Sequence, residues 1–156
     1  MKGNDQVIAK LNEQLADELA AINQYMVHSE IAKNYNYDRL HEAIEKRAIV
    51  EMKHAESLIG RIIFLEGKPI VNNLNPIHIA EDVLGMHKND LAAETGAVKT
   101  YNEGVALAAS VGDNGTRDIF EDILEDEEEH VDWLEAQLGQ IEQMGIQNYL
   151  AQQAGS

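Results

Sequence analysis

Apolar residues recur every three or four positions in four long stretches of the chain, which is the period of an amphipathic helix. The first stretch carries such a stripe through Val7, Leu11, Leu15 and Ile22. We therefore predict four long helices, from about 5 to 34, from 38 to 66, from 81 to 111, and from the turn at 112–115 to about 144. A short apolar tail at 146–151 predicts one or two further helical turns.

The ends of these predicted helices carry residues that commonly cap helices. Asn4 or Asp5 stands at the start of the first helix and Asp38 at the start of the second, where a side-chain oxygen accepts a hydrogen bond from a free backbone N–H. Gly67 follows the second helix, and Pro69 prevents that helix from resuming. These signals divide the chain into helices joined by short turns, with one exception.

The exception is the connection from Gly67 to Ala80, which has 14 residues, whereas links between bundle helices usually have about 2–8. Fully extended, it would span roughly 46–50 Å, and a helix of about 27 residues is about 40 Å long. The connection can therefore cross the bundle and leave the second and third helices parallel. The predicted fold is all-α, a ferritin-like four-helix bundle of two antiparallel hairpins, with a long crossover between helices two and three and a short C-terminal helix.

Six polar residues interrupt the apolar stripes at positions where the core should be. In the last long helix, Glu127 and His130 fall on the stripe that Ile123 and Leu134 define. The full set is Glu18, Glu51, His54, Glu94, Glu127 and His130. An unpaired carboxylate in a core costs several kcal/mol. Four carboxylates in one core therefore indicate a bound cation.

The spacing of this set is duplicated along the chain. Each Glu-x-x-His unit begins 33 residues after a single glutamate, and the two halves of the set are offset by 76 residues. In two antiparallel hairpins, this interval would bring four carboxylates and two imidazoles to one place. Carboxylates that bridge two cations, with one imidazole on each cation, suit a pair of iron or manganese ions.

The alternative is a metal-free core in which shifted pKa values, or Arg and Tyr side chains, neutralise the carboxylates. Tyr25 and Tyr101 obey the same 76-residue offset. They fit hydrogen bonding to metal-binding carboxylates or electron donation, and they equally fit ordinary core packing. Trp133 is expected in the core. Four histidines have no ligand partner at helical spacing and are expected on the surface: His28, His41, His78 and His87.

Composition excludes several classes of function. With 156 residues, 44% of them hydrophobic, the chain suffices for one domain, which we expect to span 1–156. The formal charge of −16 argues against nucleic-acid binding, because the 12 Lys and Arg residues form no basic stripe. The chain has no Cys, hence no disulfide framework or thiolate metal site. No stretch has the ~20 apolar residues of a membrane span, and no signal-peptide core follows Met1, so the expected location is cytoplasmic.

Several segments resemble those of bacterioferritins, and the likeness covers nearly the whole chain. The similar segments are MKG at 1–3, ELAAINQY at 18–25, EMKHA at 51–55, FLEG at 64–67, DEEEH at 126–130 and MGIQNYL at 144–150. The resemblance implies a hollow cage of 24 identical subunits. Such a cage oxidises Fe(II) with O2 or H2O2 at a di-iron centre within each subunit and stores the product as a ferric mineral.

The resemblance also implies a role for each of the six polar residues. Glu51 and Glu127 would bridge the two irons. Each iron would hold one further carboxylate and one imidazole: Glu18 with His54 on one iron, and Glu94 with His130 on the other.

A haem site is implied in the same way. Met52, which follows the expected bridging residue Glu51, would be an axial ligand of haem b at a two-fold interface between subunits. The resemblance leaves room for a small ferredoxin-type reductant as a partner. Lys46 and Val50 stand where some family members carry a His and an Asp on the inner cavity wall. We therefore expect no accessory iron site there.

Three functions from different classes fit these observations. The first is the iron-storing ferroxidase cage. The second is a small di-metal enzyme that acts on peroxide, like a rubrerythrin or a manganese catalase, although rubrerythrins usually add a Cys-rich module and this chain has no Cys. The third is a metal-free acidic helical adaptor, which leaves six inward polar residues unexplained. Particle size in solution distinguishes the first from the second.

Overall fold

A computed structural model describes residues 1–155 and consists of five helices. They are α1 (Asp5–Asn34), α2 (Asp38–Phe64), α3 (Val83–Ser110), α4 (Asn114–Met144) and α5 (Ile146–Gln153). Residues 1–155 contain no β-strand, so the predicted all-α class is confirmed. None of these helices combines the length and the apolar character that crossing a membrane requires.

The four long helices form two hairpins. The backbone N–H of Gly3, just before α1, donates a 3.0 Å hydrogen bond to the carbonyl oxygen of Leu65, just after α2. The short turn at 35–37 joins the opposite ends, so α1 and α2 are antiparallel. In the second hairpin, a Cβ placed on Gly104 of α3 would lie 3.0 Å from the ring of Phe120 on α4. Because the turn between these helices is also short, α3 and α4 are antiparallel as well.

The segment between α2 and α3 runs along the length of α1. Near its start, the side chain of Asn12 donates to the carbonyl oxygen of Lys68 at 3.1 Å and accepts from the N–H of Ile70 at 2.9 Å. Near its end, the N–H of Ala80 donates to Nε2 of His28 at 3.1 Å. The segment therefore carries the chain from one end of the bundle to the other. This confirms the predicted crossover and the parallel direction of α2 and α3.

The end of α2 differs from the prediction by two residues. We expected Gly67 to terminate the helix, but the left-handed residue is Glu66, with φ of 63°. The N–H groups of Glu66 and Gly67 donate to the carbonyl oxygens of Ile63 and Ile62 at 3.0 and 2.8 Å, which satisfies the last turn. A Cβ on Gly67 would lie 2.7 Å from Cγ2 of Ile8. The glycine is therefore required by close packing rather than by its backbone angle.

Aspartates cap the second pair of helices. Asp82 accepts a 2.7 Å hydrogen bond from the N–H of Gly85, so α3 begins two residues later than predicted. Asp113 accepts a 3.0 Å hydrogen bond from the N–H of Thr116 at the start of α4. Arg61 of α2 also donates to Asp113 at 2.8 Å and to Thr116 at 3.0 Å. This capping network ties the start of α4 to the end of α2.

Two apolar clusters form the core, one toward each end of the bundle, and each buried Leu or Ile contributes roughly 1.5–3 kcal/mol. The first cluster includes Val7, Leu11, Leu58, Ile62 and Phe120. The second includes Leu40, Ile44, Val83, Met86 and Tyr149. On each long helix, one buried glutamate lies in sequence between the members of the two clusters. The four glutamates therefore form a polar layer across the middle of the bundle.

Candidate metal centre

The structure brings all six predicted polar residues into this layer and buries them, with no side chain more exposed than 7%. Each long helix contributes one carboxylate. On α2 and α4 the histidine follows its glutamate by three residues, which places both side chains on the same face of the helix. The six residues are Glu18 on α1, Glu51 and His54 on α2, Glu94 on α3, and Glu127 and His130 on α4.

One half of the layer, which we call the Glu18 group, consists of Glu18, Glu51, His54 and Glu127, whose ligand atoms all lie within 4.8 Å of one another. Nδ1 of His54 is 3.1 Å from Glu127 Oε1, 3.3 Å from Glu51 Oε2 and 3.5 Å from Glu18 Oε2. Three carboxylates from three helices thus surround one imidazole nitrogen. The set could hold one metal ion through oxygen and nitrogen ligands.

The other half, the Glu94 group, consists of Glu51, Glu94 and His130, again with ligand atoms within 4.8 Å. Nδ1 of His130 lies 3.2 Å from Glu94 Oε1. Glu127, which the resemblance assigns to both metals, belongs only to the Glu18 group in this arrangement. Its Oε1 atom lies near Nδ1 of His54 and near the guanidinium of Arg47.

Asp126 contacts the centre and was not predicted. Its Oδ2 atom lies 2.7 Å from Nε2 of His54. A carboxylate at this nitrogen favours a proton on Nε2 and makes Nδ1 the atom that can bind a metal, which is how such pairs orient imidazoles in metal sites. Its position directly before Glu127 was a visible signal, but the helical period places adjacent residues on different faces of α4. Only the packing of α2 against α4 shows the contact.

Arg47 is the second residue that the sequence analysis missed. Its Nε donates to Glu51 Oε1 at 2.8 Å, its Nη1 to the carbonyl oxygen of Asp126 at 3.1 Å, and its Nη2 to Glu127 Oε1 at 3.0 Å. The available signal was its position four residues before Glu51 on α2, a spacing that pairs side chains on a helix.

Tyr25 and Tyr101, which are related by the 76-residue offset, donate hydrogen bonds to glutamates of the layer. The hydroxyl of Tyr101 donates to Glu18 Oε1 at 2.6 Å, and the hydroxyl of Tyr25 donates to Glu94 Oε1. Burial raises the pKa of both phenols well above their usual value, and the neighbouring carboxylates raise it further. Both phenols therefore stay protonated and remain donors. The expected hydrogen bonds to the carboxylates are present, and electron donation by these tyrosines stays a prediction.

The protonation of the carboxylates is uneven. Burial and the nearby Glu51 raise the pKa of Glu18, and burial with the other carboxylates raises the pKa of Glu127. Burial alone would raise the pKa of Glu51 too, but hydrogen bonds with Glu18 and His54 and the charge of Arg47 hold that pKa well below its usual range. The raised pKa values of Glu18 and Glu127 and the guanidinium of Arg47 both act to limit the negative charge of the layer.

The donor atoms fit a metal centre. Glu18 Oε2, Glu94 Oε2 and His130 Nδ1 are buried and have no hydrogen-bond partner. Buried polar atoms normally have such partners, so unpartnered atoms call for an explanation. All three are ligand atoms for cations that prefer oxygen and imidazole nitrogen, such as iron, manganese and zinc. One bound ion in each group would satisfy all three atoms.

Two cavities reach the layer from different sides. One, of about 380 Å³, leads to Glu18 and Glu94 between α1 and α3, with Asp17 and the crossover residues Asn75 and His78 in its wall. The other, of about 320 Å³, lies between α2 and α4. Its lining includes Lys46, Arg47, Val50, Glu129, His130 and Trp133.

Two of the four histidines expected on the surface are buried. His28 lies with its Nδ1 atom 2.9 Å from Oδ1 of Asp90, and His87 with its Nε2 atom 3.0 Å from the hydroxyl of Tyr149. The prediction was wrong because these partners come from other helices and leave no trace in the local spacing. The remaining two are His41, which is half-buried, and His78, which is exposed. Trp133 is half-buried beside the second apolar cluster.

Met52 lies outside the polar layer, with 42% of its surface exposed. Other apolar residues on α1 and α2 are also exposed, including Met26, Ile49 and Ile63. Ile49 lies three residues before Met52 on α2, so an exposed apolar side chain neighbours the thioether, as the haem prediction requires. Exposed apolar surface of this kind often marks contact with another molecule.

A four-helix bundle with a long crossover between its second and third helices, which buries a duplicated set of glutamates and histidines, defines the class of ferritin-like proteins. The family model for ferritin-like domains matches residues 8–144. Among curated relatives, the bacterioferritin of Rhodobacter capsulatus is 40% identical over 149 residues, covering 96% of this chain and 92% of the relative. The bacterioferritin of Brucella melitensis is 38% identical over the same length and coverage. A bacterial ferritin of Synechocystis is 39% identical over 154 residues, covering 98% of this chain and 99% of the relative. The chain belongs to the bacterioferritin family.

Proposed function

We propose that this protein stores iron, oxidising Fe(II) at the buried layer of carboxylates and histidines and depositing the ferric product inside a cage. The observation that carries the proposal is the duplicated six-residue set, whose ligand atoms gather in two groups inside the bundle. The names of the relatives, bacterioferritin and bacterial ferritin, agree with iron as the substrate.

Each group would take one Fe(II). Glu18 and His54 would hold the first iron, Glu94 and His130 the second, and Glu51 and Glu127 would lie between them. Two Fe(II) ions release two electrons, which is enough to reduce O2 to H2O2 or H2O2 to water. The carboxylates favour this oxidation because negatively charged oxygen ligands stabilise the higher charge of Fe(III).

Hydrogen bonds from the surrounding residues orient these ligands. Asp126 would keep a proton of His54 on Nε2, so that Nδ1 is the atom offered to the iron. Tyr101 and Tyr25 orient one oxygen of Glu18 and one of Glu94, which leaves the other oxygen of each carboxylate without a hydrogen bond. Because the pKa values of Glu18 and Glu127 are raised, binding of Fe(II) would compete with protons at these carboxylates.

Iron oxidation tests this proposal directly. Stopped-flow measurement of Fe(II) oxidation should show a fast phase in the parent protein that is absent from Glu18→Ala and from Glu127→Ala. Glu135→Ala, which alters an exposed glutamate of α4, is the matched control and should keep the fast phase. Equal rates in all four proteins would place the chemistry elsewhere.

The cage is the second part of the proposal, supported by family membership and by the exposed apolar residues of α1 and α2. A closed assembly of 24 chains of 17.4 kDa would have a mass of about 420 kDa. Native mass spectrometry should find that particle and iron within it. A monomer or dimer under mild conditions would instead favour the small di-metal enzyme that acts on peroxide.

Haem is the third part. Met52 would supply a thioether to a haem b at a two-fold contact, because it is exposed beside apolar residues and the family resemblance assigns it that role. Thioether ligation raises the reduction potential of haem iron, which suits passage of electrons from a small ferredoxin-type reductant. Spectra of protein expressed with ample haem should lose the axial-ligand bands in Met52→Leu and keep them in Met26→Leu, which alters another exposed methionine.

A further inference from the structure

The guanidinium of Arg47 lies inside the proposed metal centre, and the proposed iron oxidation does not explain why it is there. Nη2 of Arg47 lies 2.7 Å from Glu51 Oε1, 3.0 Å from Glu127 Oε1 and 3.8 Å from Glu94 Oε2. A single nitrogen thus lies within 4 Å of three of the four carboxylates. The side chain is only 12% exposed, and Nη1 is fixed by the carbonyl oxygen of Asp126. Arg47 is therefore part of the buried layer.

The position of Arg47 is asymmetric. Its contacts include Glu94, the carboxylate specific to the Glu94 group, and they include no atom of Glu18. Glu127, drawn toward Arg47 and His54, is missing from the Glu94 group, while the Glu18 group is complete. Arg47 thus pairs with Glu51 and Glu127, the two carboxylates expected between the ions, and the only carboxylate specific to one group that it reaches is Glu94.

The two groups differ in what an entering metal ion must displace. In the Glu18 group the nitrogen among the carboxylates is Nδ1 of His54, which can itself bind a metal. Arg47 has only N–H donors, stays protonated in proteins and offers no lone pair to a metal. A cation entering the Glu94 group must therefore displace the whole guanidinium.

We infer that Arg47 is a displaceable counter-ion of the Glu94 group, so that the two metal ions bind in sequence and only the second requires Arg47 to withdraw. The inference rests on the proposed function in taking the six residues as metal ligands. It adds a residue that sets the affinity of one half of the centre.

The structure provides a place for the withdrawn side chain. Arg47 already lines the cavity of about 320 Å³ between α2 and α4, together with Val50 and Trp133. The exposed carboxylate of Glu129 lies in the same lining and offers a new partner for the guanidinium. Rotation about the flexible Arg side chain would move its charge from the buried carboxylates toward solvent and leave the helices in place.

The test is a titration of metal-free protein with Co(II), followed by calorimetry and by the visible absorbance of the bound ion. The parent should bind two ions per chain, the second at least about tenfold more weakly than the first. Arg47→Gln should tighten the second step by about tenfold or more, since breaking the ion pairs no longer opposes it, and change the first by less than about threefold. Arg117→Gln is the matched control, because Arg117 also pairs with a glutamate four residues later, Glu121, but at the surface.

Thermal unfolding separates this role from a purely structural one. Without metal, Arg47→Gln should melt below the parent, because it leaves buried carboxylates without their cation. With two Co(II) bound, the two proteins should melt together. A variant that is equally destabilised in both states would show that Arg47 only supports the fold and would overturn the inference.

The remaining outcomes are also decisive. If neither parent nor variant binds Co(II), the proposed metal centre fails, and with it the proposed function. If both bind two ions with the same two affinities, the centre stands and the inference about Arg47 is wrong. Should Arg47→Gln fold poorly, Arg47→Lys keeps the charge but cannot bond to two carboxylates through a planar fork. Arg47→Lys should then bind the second Co(II) ion more tightly than the parent and Arg117→Gln do, and an affinity equal to the parent's would count against the inference.

Discussion

The hydroxyl of Tyr101 on α3 donates a 2.6 Å hydrogen bond to Glu18 on α1. Tyr25 on α1, which precedes Tyr101 by the same 76 residues that separate the two halves of the ligand set, donates a hydrogen bond to Glu94 on α3. Each tyrosine follows the glutamate of its own helix by seven residues, yet it bonds to the glutamate of the other helix. The crossed pairing arises because α1 and α3 are antiparallel, so the residue seven positions beyond one glutamate lies level with the other.

Removal of one of these donors should destabilise the metal-free protein. Tyr101→Phe leaves the buried Glu18 Oε1 without its hydrogen bond, and we expect a loss of about 1–3 kcal/mol in the free energy of unfolding. Urea unfolding measures the change. Tyr35→Phe, which alters an exposed tyrosine, is the control and should stay within about 0.5 kcal/mol of the parent. Equal effects of the two changes would argue against the crossed pairing.

Asp126 should act on metal affinity through His54. Asp126→Asn keeps the size of the side chain but removes the charge that holds the proton on Nε2. We expect metal binding to weaken by about 10–100-fold, as is typical when such outer partners are lost. The measurement is Co(II) titration of the metal-free protein, with Asp132→Asn, an exposed change on the same helix, as the control. An unchanged affinity would mean that Asp126 does not orient the imidazole.

His87 should make stability depend on pH. Burial lowers its pKa from 6.5 to about 4, so between these values the unfolded chain binds the proton and the folded chain does not. The contribution of neutral His87 to the free energy of unfolding is therefore fully present above about pH 6.5. It declines as the pH falls toward 4, by about 2 kcal/mol between pH 7.5 and 5.

The variant His87→Gln isolates this contribution. Urea unfolding of metal-free protein at pH 7.5 and 5 should show a smaller loss of stability in the variant than in the parent, because the glutamine does not titrate. Other groups titrate equally in both proteins and cancel in the comparison. The same pH dependence in parent and variant would show that His87 is not held neutral by burial.

Two glycines of the α2 region should respond in opposite directions to the same substitution. Gly67→Ala places a methyl group 2.7 Å from Ile8, and the overpacking should cost about 1–3 kcal/mol. Gly60 lies within α2 and a Cβ there would meet nothing within 4 Å. Gly60→Ala should therefore stabilise the protein by about 0.5–1 kcal/mol, since alanine favours helix over glycine. Thermal unfolding of both variants checks the pair, and a stabilising Gly67→Ala would contradict the close packing of the crossover on α1.

The sequence by itself determined the helices and the members of the polar layer. Helical period, capping residues and one long connection are local properties, and they predicted the long helices to within two residues at their ends. The six polar residues were visible for the same reason, because each occupies a core position of its own helix. Their duplicated spacing and a fixed helical rise then placed them together in the middle of the bundle.

Only the tertiary structure decided which other groups meet that layer. Arg47 enters it because its long side chain reaches across to Glu127 on α4, and Asp126 reaches His54 from the opposite helix. His28 and His87 are buried through partners that are distant in sequence. Contacts between helices depend on their rotation and register, which side-chain packing sets over the whole core. The spacing along a single helix carries no record of that rotation, so the ligand set could be predicted and its surroundings could not.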